Sequence, residues 1–282
     1  MLNKKAAARG ALPATVLSVL RRERRSYSPS GIGRQPGPVI ASYNVHKCVG
    51  TDKRFDPARI AAVIAELDAD IIALQEAEQR FGDRAGLLDL SRLKRESGLV
   101  PAAVDGRAGS HGWHGNLLLV REGAVGDVHQ VRLPGIEPRG ALVVDVDLAA
   151  GPLRIVAAHL GLLRRSRALQ AEAILAAVSA RTDRPILLLG DLNEWRLGAR
   201  SSLLNFEPTF GPLTAALPSF PSRFPLFALD RILGSPHELI ASIEVHDTPL
   251  ARTASDHLPI KACIDLNRAA TEISPEVGRI AA

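Results

Sequence analysis

Short apolar runs alternate with amphipathic segments along most of the chain, between Pro38 and Asn267. Runs rich in Val, Ile and Leu that are bounded by Gly, Pro, Asn or Asp are typical of β-strands. One of them, DIIALQE at 70–76, has no polar face, which indicates burial on both sides of a sheet. Strands are predicted over 39–45, 70–76, 116–121, 125–133, 140–148, 152–160, 185–193, 227–233, 238–246 and 258–266.

Amphipathic helices separate some of these strands. The segment 55–69 has Asp56 as an N-cap and Pro57 at the first helical position, and its apolar residues fall on one face. Further helices are predicted over 83–97 and 165–180. Because many short strands occur with few helices and a hairpin-rich middle, we predict an α/β fold. The pattern predicts a single α/β sandwich of two mixed sheets packed face to face, with helices outside.

The chain divides by charge near its N-terminus. Residues 1–37 contain eight Lys or Arg and one acid, Glu23, so they carry a charge of +7; the formal total is +5, which leaves −2 for the other residues. The stretch 26–38 is rich in Ser, Gly and Pro, which is typical of a linker. We therefore predict a basic flexible N-terminal arm and linker at 1–37, one folded domain at 38–267 and a loose C-terminal tail at 268–282.

Composition excludes several classes of protein. The two cysteines, Cys48 and Cys263, cannot form a disulfide framework or a thiolate metal site. No run approaches the roughly 18–20 apolar residues of a membrane span, and the apolar stretch 11–20 is followed by RRERR rather than by a cleavage site. A cytoplasmic location is expected; export, or peripheral binding of the arm to an anionic membrane surface, is the alternative. The domain lacks the net positive charge of a dedicated nucleic-acid binder.

Polar side chains from a narrow chemical range stand at the ends of the predicted strands. A single residue of this kind is usually a solvated cap or a turn former. Their recurrence at the ends where a sandwich displays its loops indicates a functional site. They are Asn44 and His46 in SYNVH, Glu76 in LQE, His159 in AAHL, Asp191 and Asn193 in GDLN, Asp230 in LDRIL, and Asp256 and His257 in SDHLPI.

The types of these side chains indicate the chemistry. Carboxylate and amide oxygens suit a hard cation such as Mg²⁺ or Mn²⁺. The chain has no HExxH pattern and no Cys–His cluster, which disfavours zinc. Histidines then remain for proton transfer or for stabilising charge in a transition state. A hard metal, carboxylates and histidines together indicate phosphoryl chemistry.

The motifs SYNVH, LQE, HGNLLLV, AAHL, GDLN, LDRIL and SDHLPI occur in an order that resembles the endonuclease/exonuclease/phosphatase superfamily, over about residues 39–266. That superfamily includes pancreatic-type deoxyribonuclease, apurinic endonucleases, inositol-phosphate phosphatases and neutral sphingomyelinases. The resemblance implies a four-layer sandwich of two packed mixed β-sheets flanked by helices.

The resemblance also implies a metal site and a general base. Glu76 looks like the principal Mg²⁺ ligand, with Mn²⁺ as a substitute ion, and Asn44 and Asp256 would assist it. His257 would be the general base that takes a proton from the attacking water, and Asp230 would orient its ring.

The resemblance assigns other residues to the substrate. Asp191 and Asn193 are expected to position the nucleophile and bind the phosphate. His159 would contact the phosphate, although apurinic endonucleases depart from His at that position. Arg139, in EPRGAL, resembles an arginine that reaches the scissile phosphate, and Asn116 resembles a residue that supports the site from a neighbouring strand.

Two features of the sequence each allow two interpretations. His46 stands where apurinic endonucleases have Asp, and it would either support the metal site or contact the phosphate; with Arg139 and Asn116 it completes the expected substrate-binding set. The arginines of LLRRSRA, at 162–168, would either gather anionic substrate or form a solvated helix start.

The sequence therefore predicts a Mg²⁺-dependent phosphodiesterase that hydrolyses a nucleic-acid or nucleotide-like diester by attack of a His-activated water. A phosphatase or phospholipase-type hydrolase acting on inositol phosphates or phospholipid headgroups is the alternative. A non-catalytic binding module of the same fold would show gaps in the motif set, and none of consequence is present. Nucleic acid, or an anionic membrane reached through the basic arm, is the expected macromolecular partner, and no protein partner is predicted.

Overall fold

The computed structural model describes residues 26–27, 37–79, 82–106, 109–121, 124–179, 181, 183–196, 198–213 and 216–268. The predicted basic arm lies outside the described residues except for 26–27 and 37, and the predicted tail does so except for Arg268. The arm and the tail therefore stay predictions.

Twelve strands and five α-helices are present in the described part of the chain. The strands are β1 (Ser26–Tyr27), β2 (Val39–Asn44), β3 (Ile71–Gln75), β4 (Leu99–Pro101), β5 (Leu117–Arg121), β6 (Val125–Leu133), β7 (Arg139–Leu148), β8 (Gly151–His159), β9 (Ile186–Asp191), β10 (Asp230–Ser235), β11 (Ile240–Val245) and β12 (Ile260–Ile264). The helices are α1 (Pro57–Leu67), α2 (Leu90–Ser97), α3 (Arg164–Ser179), α4 (Glu207–Phe210) and α5 (Pro249–Ala254).

The strands form two sheets. One has seven strands in the order β1-β11-β12-β2-β3-β5-β4, and the other has five in the order β10-β9-β8-β7-β6. Within them, β2 pairs with β3 and β8 pairs with β9 in parallel, whereas the neighbouring pairs are antiparallel. Both sheets are therefore mixed, as predicted.

The two sheets pack face to face over a shared apolar core. Strand β7 contributes to two apolar clusters because its successive side chains point to opposite faces of the sheet. Leu142 and Val144 belong to the central core that contains Ile40 of β2, whereas Ala141 and Val143 belong to a second cluster on the opposite face. That second cluster includes Ala171 and Ile174 of α3, so the helix covers the outer face of the five-stranded sheet.

Helix α1 has the N-cap and the apolar face that the sequence pattern predicts. The Asp56 side chain accepts a hydrogen bond from the Arg59 backbone N–H, Pro57 occupies the first turn, and Asp68 closes the helix in a left-handed conformation. Its apolar face, including Ile60 and Ile64, is buried. The predicted four-layer sandwich is confirmed.

The predictions are wrong in detail at several elements. The helix expected over 83–97 is present only from Leu90, because the Asp89 carboxylate caps the N–H of Arg92 and fixes the start of α2 there. Strands β1 and β4 and helices α4 and α5 are not predicted by the apolar pattern, since each is shorter than the runs in which a period can be recognised. No helix in the described ranges is long and apolar enough to cross a membrane.

Candidate active site

Functional side chains from both sheets meet at one end of the sandwich. In the register of β8, β9 and β10, Asp191 lies opposite both His159 and Asp230. On the facing sheet, β2 ends at Asn44, whose Nδ2 donates a hydrogen bond of 2.9 Å to Asp191 Oδ2. Motifs that are more than a hundred residues apart in the chain therefore form one cluster.

His257 is held in place by a buried carboxylate. Its Nδ1 lies 2.8 Å from Asp230 Oδ2, and the Ser219 hydroxyl donates to the same oxygen at 2.5 Å. The Phe220 ring packs on the imidazole with 4.8 Å between ring centroids. This arrangement leaves Nε2 as the ring nitrogen that faces the cluster, 3.8 Å from Asp191 Oδ2.

The carboxylates around His257 determine its proton affinity. Burial alone would lower the pKa of His257, but the charges of Asp230 and Asp191 outweigh burial and raise the pKa to about 10. Burial is also the main reason that the pKa of Asp191 is raised, to about 6, and the nearby Asp230 adds to it. The cluster is therefore rich in negative charge that a bound cation would compensate.

Asp191 is the hub of the cluster. In addition to the hydrogen bond from Asn44, Asp191 accepts one at Oδ1 from the Asn193 backbone N–H (3.0 Å). Asp191 Oδ2 also lies 3.4 Å from His159 Nε2. Asn193 has a left-handed backbone (φ 51°), and its side-chain Nδ2 donates to Leu160 O at 2.9 Å. These bonds fix Asp191 between two imidazoles, where it can orient a polar ligand.

Glu76 projects into a neighbouring cleft. The residue has a left-handed backbone (φ 55°) directly after β3, and Lys47 Nζ donates a hydrogen bond to its Oε2. Lys47 is presented by a run of three consecutive left-handed residues, His46–Cys48, with φ values of 45°, 54° and 59°. Non-glycine residues rarely adopt this conformation, and such strain concentrates at functional sites.

Arg139 joins this cleft to the cluster. Its Nη1 lies 2.9 Å from Nδ1 and 3.0 Å from Nε2 of His159, so the guanidinium lies against the imidazole. Glu137 Oε2 accepts from Arg139 Nη2 at 2.7 Å, which fixes the other end of the guanidinium. The residues that line the cleft include Lys47, Glu76, Glu78, Arg84, His114, Glu137, Arg139 and His159.

The other expected site residues lie at different distances from this cleft. Asn116 is fully buried, and its Nδ2 donates to the carbonyls of Gly140 (3.0 Å) and Trp113 (3.2 Å), so it braces the backbone behind the cleft. Asp256 is half-exposed beside His257, with Oδ1 3.6 Å from His46 Nδ1. The structure does not bring Asp256 into contact with Glu76.

The oxygen donors present are of the kinds that a hard divalent cation takes. In the described ranges, no three His, Cys, Asp or Glu side chains converge as a preformed metal cage requires. Magnesium in phosphoryl-transfer sites is usually held by one or two carboxylates together with water and substrate phosphate. Glu76, whose carboxylate is balanced by Lys47, and the Asn44 Oδ1, which accepts the His46 N–H at 3.0 Å, offer donors of that kind.

Sequence reasoning missed three residues that shape the site: Lys47, Ser219 and Glu137. Lys47 directly follows the SYNVH motif, so its position in the sequence could have indicated that it lies near the site. Ser219 lies in a loop, and nothing in LPSFPS indicates that its hydroxyl reaches Asp230. The arginines of LLRRSRA separate: Arg164 and Arg165 are exposed, whereas Arg167 is buried and its Nη2 lies 3.1 Å from Glu194 Oε2.

Glu194 anchors the loop after β9 and carries a testable pH dependence. Burial alone would raise its pKa, but hydrogen bonds from Ser202, Arg196 and Arg167 lower the pKa from 4.5 to about 2. Because the folded pKa is below the unfolded one, the stabilisation is present above about pH 4.5 and is lost as the pH falls towards 2. We expect Glu194→Gln to lower the free energy of unfolding by about 3 kcal/mol at pH 7.

Urea unfolding at pH 7 and pH 3 measures this effect. The difference between wild type and Glu194→Gln should shrink at pH 3, while the exposed Glu172→Gln on α3 should leave both values within about 0.5 kcal/mol of wild type. An unchanged difference at the two pH values would show that packing, not charge, accounts for the role of Glu194.

Comparisons with known proteins show the family of this chain. The model of the "Endonuclease/Exonuclease/phosphatase family" matches residues 41–257. A protein of Escherichia coli (strain K12) named "Uncharacterized protein YbhP" is 26% identical over 252 residues, which cover 80% of this chain and 96% of that protein.

Solved structures share the fold at low sequence identity. The endonuclease/exonuclease/phosphatase from Beutenbergia cavernae DSM 12333 has a TM-score of 0.61 and 22% identity, covering 82% of this chain and 72% of that chain. A D. rerio TDP2 complexed with single strand DNA product has a TM-score of 0.53 and 17% identity, covering 81% of this chain and 98% of that chain.

Proposed function

Because the chain belongs to the Endonuclease/Exonuclease/phosphatase family, we propose that it is a metal-dependent phosphodiesterase in which His257 activates the attacking water. The observation that carries this proposal is the buried pair of His257 and Asp230, with the free Nε2 directed towards Asp191. A base that is oriented by a carboxylate and faces a second polar anchor is the arrangement that water activation requires.

The chain's own residues suffice to describe the proton transfer. A water held by Asp191 beside His257 Nε2 transfers a proton to that nitrogen while its oxygen forms the new bond to phosphorus. The ester oxygen on the opposite side leaves with the electron pair of the broken P–O bond. Asp230, hydrogen-bonded to Nδ1, stabilises the imidazolium that forms. Arg139 and His159, at the junction of cluster and cleft, would donate to the phosphate oxygens.

Glu76 and Asn44 are the residues that would hold Mg²⁺ or Mn²⁺. A cation there would neutralise charge on the phosphate oxygens and would lower the proton affinity of the carboxylate-flanked imidazole. Lys47 holds the Glu76 carboxylate in the cleft.

The balance of charge favours a diester. Several carboxylates stand at the site, and the three cations that line the cleft, Lys47, Arg84 and Arg139, each already have an acid partner. A diester brings a single negative charge, whereas a monoester brings up to two, so the diester meets less repulsion.

Two classes of diester are supported by different observations. The fold shared with a TDP2 that is complexed with single strand DNA product supports the nucleic-acid diester that the sequence predicts. Exposed apolar side chains around the site favour the second candidate, the diester of a phospholipid headgroup.

Hydrolysis of a generic aryl phosphodiester tests the proposed reaction. We expect Mg²⁺ or Mn²⁺ to support turnover and a chelator to abolish it. Replacement of Glu76 by Gln should weaken metal binding at least about tenfold, because one anionic oxygen ligand becomes a neutral amide. Calorimetric titration with Mn²⁺ measures that affinity directly.

The exposed Glu238→Gln is the matched control for this substitution and should bind metal as wild type does. Faster hydrolysis of the matching aryl monoester would favour a phosphatase. Equal metal affinity in Glu76→Gln and wild type would remove Glu76 from the metal site.

A further inference from the structure

Exposed apolar side chains are concentrated at one end of the molecule. Eight of the nine large apolar side chains that are exposed in the described ranges lie in loops at the end of the sandwich that carries the candidate active site; Leu169, on α3, is the exception. We name these eight the apolar ring: Phe55, Ile136, Leu162, Leu163, Trp195, Phe224, Leu226 and Phe227.

The connections of the ring residues place them around the mouth of the site. Ile136 precedes Arg139 at the start of β7, and Leu162 follows His159 at the end of β8. The Leu162 N–H also donates to Glu137 Oε1 at 2.7 Å, which ties these two loops together. The ring therefore borders the residues that contact the phosphate in the proposed reaction.

The segment 220–227 carries three of the eight ring residues, Phe224, Leu226 and Phe227. Phe220 and Phe227 exchange backbone hydrogen bonds of 3.0 and 2.8 Å, which close the segment into a hairpin-like loop. At its outer end the Phe224 side chain is 68% exposed, and at its inner end the Phe220 ring packs on His257. The loop thus connects the catalytic imidazole to an apolar tip in solvent.

Exposed arginines adjoin several of the apolar tips. Arg54 precedes Phe55, Arg223 precedes Phe224, and Arg164 and Arg165 follow Leu162–Leu163; all four arginines are exposed. The guanidinium of Arg196 lies 4.5 Å from the ring centroid of Trp195. The acids of the same loops are already paired, since Asp52 binds Arg59 and Glu137 binds Arg139.

We propose that the apolar ring docks the protein onto the surface of an anionic phospholipid bilayer. Apolar side chains backed by arginines match an interface in which acyl chains lie beneath negatively charged headgroups. Single-stranded nucleic acid fits less well, because its bases bind by stacking on aromatic side chains. Four ring residues are aliphatic: Ile136, Leu162, Leu163 and Leu226. This inference goes beyond the proposed function, since binding to a bilayer does not require turnover.

Sedimentation with lipid vesicles tests the inference on the full chain. We expect the protein to bind vesicles that contain about 30 mol % phosphatidylglycerol, and to bind pure phosphatidylcholine vesicles much more weakly. The variant Phe224→Ser/Leu226→Ser should lose about tenfold or more of its partition coefficient. The matched control, Leu169→Ser, removes an exposed leucine outside the ring and should bind as wild type.

Quenching of tryptophan fluorescence distinguishes vesicle binding through the apolar ring from vesicle binding through the basic arm. Lipids brominated on the acyl chains should quench Trp195 fluorescence in the bound protein, and Trp195→Phe should remove most of that quenching. Thermal unfolding of the Phe224→Ser/Leu226→Ser variant verifies that it is folded. Binding that is unchanged in this variant, or vesicle binding without quenching, would overturn the inference. So would binding to a single-stranded oligonucleotide, but not to vesicles, that depends on Phe224.

Discussion

Replacement of His257 by Ala is expected to reduce hydrolysis of a soluble aryl phosphodiester by about a thousandfold. A positioned general base typically contributes 10²- to 10⁴-fold, so an effect of about this size is expected from losing it. Because His257 faces Asp230 and Asp191 rather than Glu76, the affinity for Mn²⁺ should stay within a few-fold of wild type. Steady-state kinetics and calorimetric titration of the same preparation measure both quantities.

Two controls separate lost chemistry from a damaged fold. His129 is exposed on β6, far from the cluster, and His129→Ala should retain wild-type turnover. Free imidazole should partly restore activity to His257→Ala, since the removed ring leaves a cavity between Asp230 and the Phe220 ring. Activity of His257→Ala within a few-fold of wild type would exclude His257 as the base.

Sequence was a good guide to this site wherever a side chain stands at the end of a regular strand. Asp191, His159 and Asp230 end or begin β9, β8 and β10, and the sequence pattern identified all three as polar residues at the ends of apolar runs. That their strands share one sheet was not predicted. Asn44 was identified at a strand end in the same way, but its position on the facing sheet and its hydrogen bond to Asp191 depend on how the strands pair and the sheets pack.

Sequence was a poor guide wherever loop geometry decides the contact. Lys47 reaches Glu76 through three left-handed residues, and their conformation is set by the surrounding fold rather than by glycine. Ser219 reaches Asp230 through the loop that precedes β10. The apolar ring was equally hidden, since Phe224 and Leu226 look like core residues in a one-dimensional pattern.

The substitution Asp191→Asn is expected to remove activity while stabilising the metal-free protein. Asp191 contacts Asn44, His159 and the Asn193 backbone, so an amide in its place disturbs the position of the water, and turnover should fall about a hundredfold or more. Burial, however, raises the pKa of Asp191 from 3.8 to about 6, which means that folding disfavours its charged form. The native protein therefore accepts a buried charge that costs stability.

The sign of the stability effect follows from that shift in pKa. A carboxyl group whose folded pKa is raised destabilises the fold above that pKa, and the effect vanishes as the pH falls below the unfolded value. In chelator, Asp191→Asn should unfold at a higher temperature than wild type at pH 8, and the two should converge towards pH 4. Asp147→Asn, at an exposed carboxylate that binds Arg184, should change neither activity nor this pH trend. A variant of Asp191 that lost activity and also unfolded several degrees lower at pH 8 would show that the carboxylate is structural. The expected opposite signs would instead show that Asp191 is kept for the reaction at the expense of the fold.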